Sequence, residues 1–95
     1  MAVYVITMVN IHDQEKYKAY AELATVANQK HGGKFMVRGG NPEPVEGRLP
    51  YERVVVNMFD TREQARTFYH SVEYQAAKAK REGAADFNMI IVDGV

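Results

Sequence analysis

A chain of 95 residues with twelve acidic residues against twelve basic ones and no cysteine lacks the basic footprint of a nucleic-acid or membrane-surface binder. The same composition excludes disulfide bracing, thiol catalysis and cysteine-ligated metals. One domain over residues 1–95 is expected, near the lower end of sizes that bury a sufficient core unaided, so extra burial through self-association would help.

Ala2 to Asn10 reads as a strand, entered without a basic leader. Val3, Val5 and Val9 lie on one parity and Tyr4, Ile6 and Met8 on the other, so both faces are apolar. Asp13 is suited to cap a helix, with Glu15 in its first turn, and Tyr17, Tyr20, Leu23, Ala24 and Ala27 form one narrow apolar stripe. Lys30 and His31 precede Gly32 and Gly33, where the helix stops.

Lys34 to Arg38 is a short second strand, and Gly39 to Pro50, which holds all three prolines, is the one long loop. Tyr51 to Phe59 forms a third strand. Val54, Val56 and Met58 share one parity; Val55, Asn57 and Phe59 share the other. Thr61 and Gln64 have capping-box spacing, Ala65, Phe68 and Tyr69 point inward, and Ser71 caps a second helical piece carrying Tyr74, Ala77 and Arg81. After Gly83 the last strand runs from Asp86 to Asp93, again with apolar residues on both parities. No apolar run is long enough to span a bilayer, so a cytoplasmic protein without membrane contact is expected.

The order strand, helix, strand, strand, helix, strand places both helices on one face of a four-stranded antiparallel sheet, a ferredoxin-like α+β fold. The other face is then bare and apolar, and a second copy is the simplest cover. A homodimer through the sheet face, a dimeric α/β-barrel with a lined interior, is the expected assembly.

The runs His31-Gly32-Gly33-Lys34-Phe35, Arg38-Gly39-Gly40, Glu46-Gly47, Phe68-Tyr69-His70-Ser71-Val72-Glu73-Tyr74-Gln75 and Val92-Asp93-Gly94 resemble, in order, the motif series of a bacterial domain-of-unknown-function family. That family lies within the dimeric α/β-barrel superfamily. The resemblance implies the same fold and the company of cofactorless monooxygenases, lactone isomerases and haem-handling enzymes, without choosing among them.

Arg38 is the leading candidate for ligand binding. It shares strand parity with Met36, so if Phe35 and Val37 face the helices, its guanidinium points into the dimer interior and needs an anion or carbonyls to answer it. The family pattern is commonly acidic at Asn57, where this chain has an amide. Arg38, helped by Asn57, is read as holding the carboxylate or enolate oxygen of a small ligand. Alternatively Arg38 reaches solvent or ties down the Gly39 to Gly47 loop.

His12 could relay protons beside Asp13, or be a turn residue; Glu46 and Asp93 could pair with Arg38 or act as bases, or be turn residues. His31 suits a helix C-terminus. His70, Ser71 and Glu73 do not make a hydrolytic triad, since neighbours on a helix start point apart. No histidines share metal-binding spacing, so no bound metal is expected; an axial haem histidine stays open without support from the sequence, and no cofactor is expected. Two functions stay open. One is an enzyme doing cofactor-independent acid–base, oxygenase or isomerase-type chemistry on a small, carboxylated metabolite, which requires a pocket with Arg38 on its wall. The other is a binding or interaction module without turnover, its cavity filled by Met36, Val55 and Phe59.

Overall fold

Three side-chain caps set the helices of this computed structural model, which describes residues 2–95. Asp13 accepts from the Lys16 amide at 3.1 Å and opens α1 (Gln14–Lys30). Thr61 accepts from the Gln64 amide at 3.0 Å and opens α2 (Arg62–His70), and Ser71 accepts from the Tyr74 amide at 3.0 Å and opens α3 (Val72–Lys80). Each satisfies an amide that the first helical turn leaves without an intrahelical acceptor. The return half of the expected capping box goes elsewhere. Gln64 Oε1 accepts from the Asp60 amide and its Nε2 donates to the His31 carbonyl, at 3.0 and 2.9 Å, stitching α2 to the end of α1.

The strands are β1 (Val3–Ile11), β2 (Lys34–Gly39), β3 (Arg53–Phe59) and β4 (Ala85–Asp93). They form one antiparallel sheet in the order β2-β3-β1-β4, with all three helices on one face, the ferredoxin-like α+β arrangement. The third strand starts at Arg53 rather than at Tyr51. Residues directly opposite each other share a face, so Val3, Val5, Thr7 and Val9 stand on the helix side with Phe59, Asn57, Val55 and Arg53 of β3. All four of those β1 residues are buried, with Val9 fully so.

Aromatic rings fill the space between sheet and helices. Phe59, Phe68 and Tyr74 stack at centroid separations of 5.2 and 5.0 Å, and Tyr20 meets Tyr74 edge-on at 6.0 Å. Side chains of this size contribute about 1.5–3 kcal/mol each on full burial. In α1 the buried set is Tyr17, Tyr20, Ala27 and Asn28. Leu23, expected in the stripe, is 39% exposed. A second tie joins α1 to α3, because Glu73 receives Lys30 Nζ at 2.7 Å and His31 Nε2 at 3.0 Å.

The far face of the sheet is uncovered. Ile6 stands between Val56 and Ile90 there, with Met8, Val54 and Val92 around it, and Ile90 is 48% exposed. Among the described residues, no helix is long and apolar enough to cross a membrane.

Candidate functional site

One extra residue in β2 decides which way the candidate arginine faces. Phe35 pairs with Asn57, but Val37 pairs with Val56 and Arg38 with Val55, so Met36 is left without a partner as a β-bulge. Strict alternation would put Phe35 and Val37 on one face and Arg38 on the other. The bulge exchanges the last two. Val37 turns outward, and Arg38 joins Phe35, Val55 and Asn57 on the helix side. The expectation that Arg38 points into the space between two sheets is therefore corrected: its site lies inside one protomer, between sheet and helices. Its guanidinium stacks on the Phe35 ring, 3.9 Å from the centroid.

A cavity of about 140 Å³ occupies that space. It exists because α1 presents Ala21, Ala24 and Thr25 opposite Thr7 and Val55, and side chains this small do not reach across. Tyr17, Tyr20, Phe35 and Tyr74 give it flat aromatic walls, and Arg38, Arg53, Asn57, Thr7 and Thr25 join the tyrosine hydroxyls as its polar groups. Arg38 is exposed at the rim while Arg53 is half-buried. Arg53 Nε and Asn57 Oδ1 are both buried without a hydrogen-bond partner.

Asn57 is held from the other side. Its Nδ2 donates to Asn28 Oδ1 at 2.9 Å, and Asn28 is itself buried at the end of α1. Gly33 permits this, because a Cβ there would collide with Asn28 Oδ1 and with the Phe59 ring. Gly39 plays the same part for Arg53. It sits at φ +92°, and a Cβ would come within 2.8 Å of Arg53 Nη2.

The electrostatics favour an anion. Neither Arg38 nor Arg53 forms an ion pair among the described residues, and no carboxylate or imidazole lines the cavity. Two cations sharing a partly desolvated wall without a counter-charge raise the affinity for a negative group. Burial pushes the Tyr17 hydroxyl above its ordinary range, opposed by the nearby Arg53 charge, and burial together with the Tyr74 hydroxyl raises Tyr20 as well. Both phenols are hydrogen-bond donors at neutral pH and not bases.

Arg38 and Asn57 are thus brought to one cavity. The other candidates are not. His12 is exposed and meets Asp86 at 3.1 Å. Asp93 pairs with Arg62 at 2.8 Å rather than with Arg38, and Glu46 is exposed in the long loop and does not line this cavity. Met36, Val55 and Phe59 do not converge to plug a cavity, since Met36 is 50% exposed while Phe59 is buried. Arg53 joins the site from outside the expected residues, and Tyr17, expected only in the apolar stripe of α1, lines it too. Arg53 was legible in principle, because it shares β3 parity with Val55 and Asn57. Among the described residues, no group of three or more histidine or acidic side chains could hold a metal ion.

The model of the family described as "Domain of unknown function (DUF1330)" matches residues 2–95. The chain belongs to the DUF1330 family. A search of curated proteins found no significant match. Among solved structures, this DUF1330 chain is similar to a protein of unknown function from Rhodopseudomonas palustris, with 17% identity over 99% of this chain and 82% of that one and a TM-score of 0.79. It is also similar to a dimeric ferredoxin-like protein of unknown function from Jannaschia sp. CCS1, with 10% identity over 99% and 100% of the two chains and a TM-score of 0.78. A third, from Bacteroides thetaiotaomicron, is described as a "possible oxidoreductase"; identity is 8% over 98% and 97%, with a TM-score of 0.65. At these identities the DUF1330 chain shares the fold with its neighbours.

Proposed function

We propose that this protein is a homodimeric binder of a small aromatic or otherwise flat carboxylate that also carries a hydrogen-bond donor. The observation that carries this reading is the pairing of two guanidiniums that lack carboxylate partners with an orphaned acceptor, Asn57 Oδ1, on one cavity wall. The arginines take the carboxylate, Asn57 Oδ1 takes a hydroxyl or N–H, and the tyrosine and phenylalanine rings take the flat body. A closed cavity of about 150 Å³ holds benzene, so one ring fills this space, with its substituents at the polar rim. A second copy covers the bare face around Ile6, in keeping with the dimeric description of the Jannaschia neighbour.

Titration of salicylate, benzoate and salicylamide by calorimetry tests the ligand chemistry. Salicylate is expected to bind most tightly, with benzoate weaker for want of the hydroxyl. Salicylamide, without the charge, should be weaker by about tenfold or more, as loss of a charge-assisted hydrogen bond implies. Equal affinities for salicylate and salicylamide, or no effect of Arg38→Ala, would overturn the reading.

Turnover is the second reading, favoured by the "possible oxidoreductase" description of the Bacteroides neighbour. The same arginines would then hold the enolate oxygen of a substrate during cofactor-independent chemistry. With phenols alone as titratable groups beside them, the cavity supplies electrophilic stabilisation and proton donation but no general base. Deuterium exchange or oxygen uptake on bound carboxylates separates turnover from binding.

A further inference from the structure

A groove of about 380 Å³ lies between the α2–α3 pair and β4, on the far side of Phe68 and Met89 from the first cavity. Its floor is apolar, from Val5, Phe87, Met89 and Ile91, and its cations are Lys78 and Arg81. No acidic residue lines it. The Arg81 guanidinium sits over the Phe87 ring at 3.6 Å and 5.2 Å from the Tyr20 centroid, which restricts its movement. One contact reaches back, from Arg81 Nη2 to the Tyr74 hydroxyl at 3.5 Å, and Arg81 Nε is buried with no partner. Lys78 Nζ donates to the Tyr69 hydroxyl at 3.2 Å on the same wall.

We propose that this groove is a second ligand site, taking an amphipathic aromatic carboxylate larger than the first cavity admits. A guanidinium held over two aromatic rings, a neighbouring ammonium and no acid on the groove wall are charge-complementary to a carboxylate. An apolar floor of this extent suits a body of two fused rings. Scaling from benzene in about 150 Å³, the volume corresponds to about 15 non-hydrogen atoms. The proposal does not depend on the function of the first cavity, from which Phe68 and Met89 separate it.

The test uses 2-naphthoate and its neutral isostere 2-naphthamide, followed through the NMR methyl signals of the full chain. Ala65 and Ile91 line the groove alone, and Ala24 and Val55 line the first cavity alone. Naphthoate is expected to shift Ala65 and Ile91 saturably, with naphthamide weaker by about tenfold. Arg81→Met should weaken naphthoate by a similar factor. Because Arg81 also packs on two rings, thermal melting checks that the variant folds. The exposed Lys78→Met keeps the test decisive if it does not, with an expected loss of about threefold. Salicylate read at Ala24 and Val55 in the same samples shows whether the first-cavity reading fails separately. Shifts confined to Ala24 and Val55, equal affinity for the two naphthyl probes, or no shift at Ala65 and Ile91 because a second copy closes the groove would each overturn the proposal.

Discussion

Asn57 on the central strand β3 and Asn28 near the end of α1 meet through a buried amide–amide hydrogen bond of 2.9 Å. This contact fixes the height of α1 above the sheet at one end of the cavity and leaves the Asn57 oxygen free. Asn28→Ala strips the Asn57 amide of its partner as well. It should destabilise the fold by about 1–3 kcal/mol, the cost of a buried polar group left unpaired, measurable as a lower urea midpoint with an unchanged denaturant slope.

Gly39→Ala places a methyl against the Arg53 guanidinium and forces a left-handed backbone on a residue with a Cβ. A loss of about 1–2 kcal/mol is expected from the conformational strain. Salicylate affinity should fall with it, because Arg53 must move. Retained affinity in a folded Gly39→Ala protein would show that Arg53 does not contact the ligand.

Deleting Met36 removes the bulge and leaves Phe35 inward, Val37 outward and Arg38 inward in regular alternation. The deletion should therefore fold and still bind salicylate, although a one-residue deletion in an ordinary strand reverses every following side chain. Loss of binding without loss of fold would mean that the bulge itself shapes the site.

The Lys30 ammonium, seconded by His31, holds the Glu73 carboxyl down to about 2. A folded-state value below the unfolded one means that the contribution is present above the ordinary carboxylate range and is lost as pH falls from about 4.5 toward 2. Glu73→Gln should thus lower the melting temperature at pH 7, with the difference from wild type shrinking across that acidic window. A constant difference down to pH 2 would count against the ion pair as its source. The side chains are partly exposed, so the effect should also diminish with salt.

Ile6 lies at the middle of the bare sheet face, between Val56 and Ile90. Ile6→Lys puts a charge where the proposed second copy sits, and light scattering should then return the mass of one chain in place of two. A wild-type protein that is itself monomeric at micromolar concentration would remove the dimer from the proposal.

Much of this architecture was legible because local chemistry dictates it. Asp13, Thr61 and Ser71 cap their helices as short polar side chains do, and alternation along β1 and β3 sorts their residues onto two faces, both largely apolar, without reference to the rest of the molecule. Asn57 stood out as a polar side chain among the valines of β3, but its expected place beside Arg38 was the space between two sheets, not the helix side where it is buried. Arg53 was readable by alternation once β3 was counted back from Phe59.

The direction of Arg38 was decided by the tertiary structure alone. Whether a short edge strand pairs residue for residue or bulges depends on its neighbour, and no local preference in Lys34 to Arg38 announces the extra residue at Met36. The cavity likewise needs α1 to lie across β1 and β3 so that small residues face each other, a coincidence of Ala21 and Ala24 with Thr7 that spacing along one segment does not reveal. Chain order and side-chain chemistry determined the fold and its two apolar faces; packing between distant segments decided which face holds the site, because a cavity is a property of surfaces that meet only after folding.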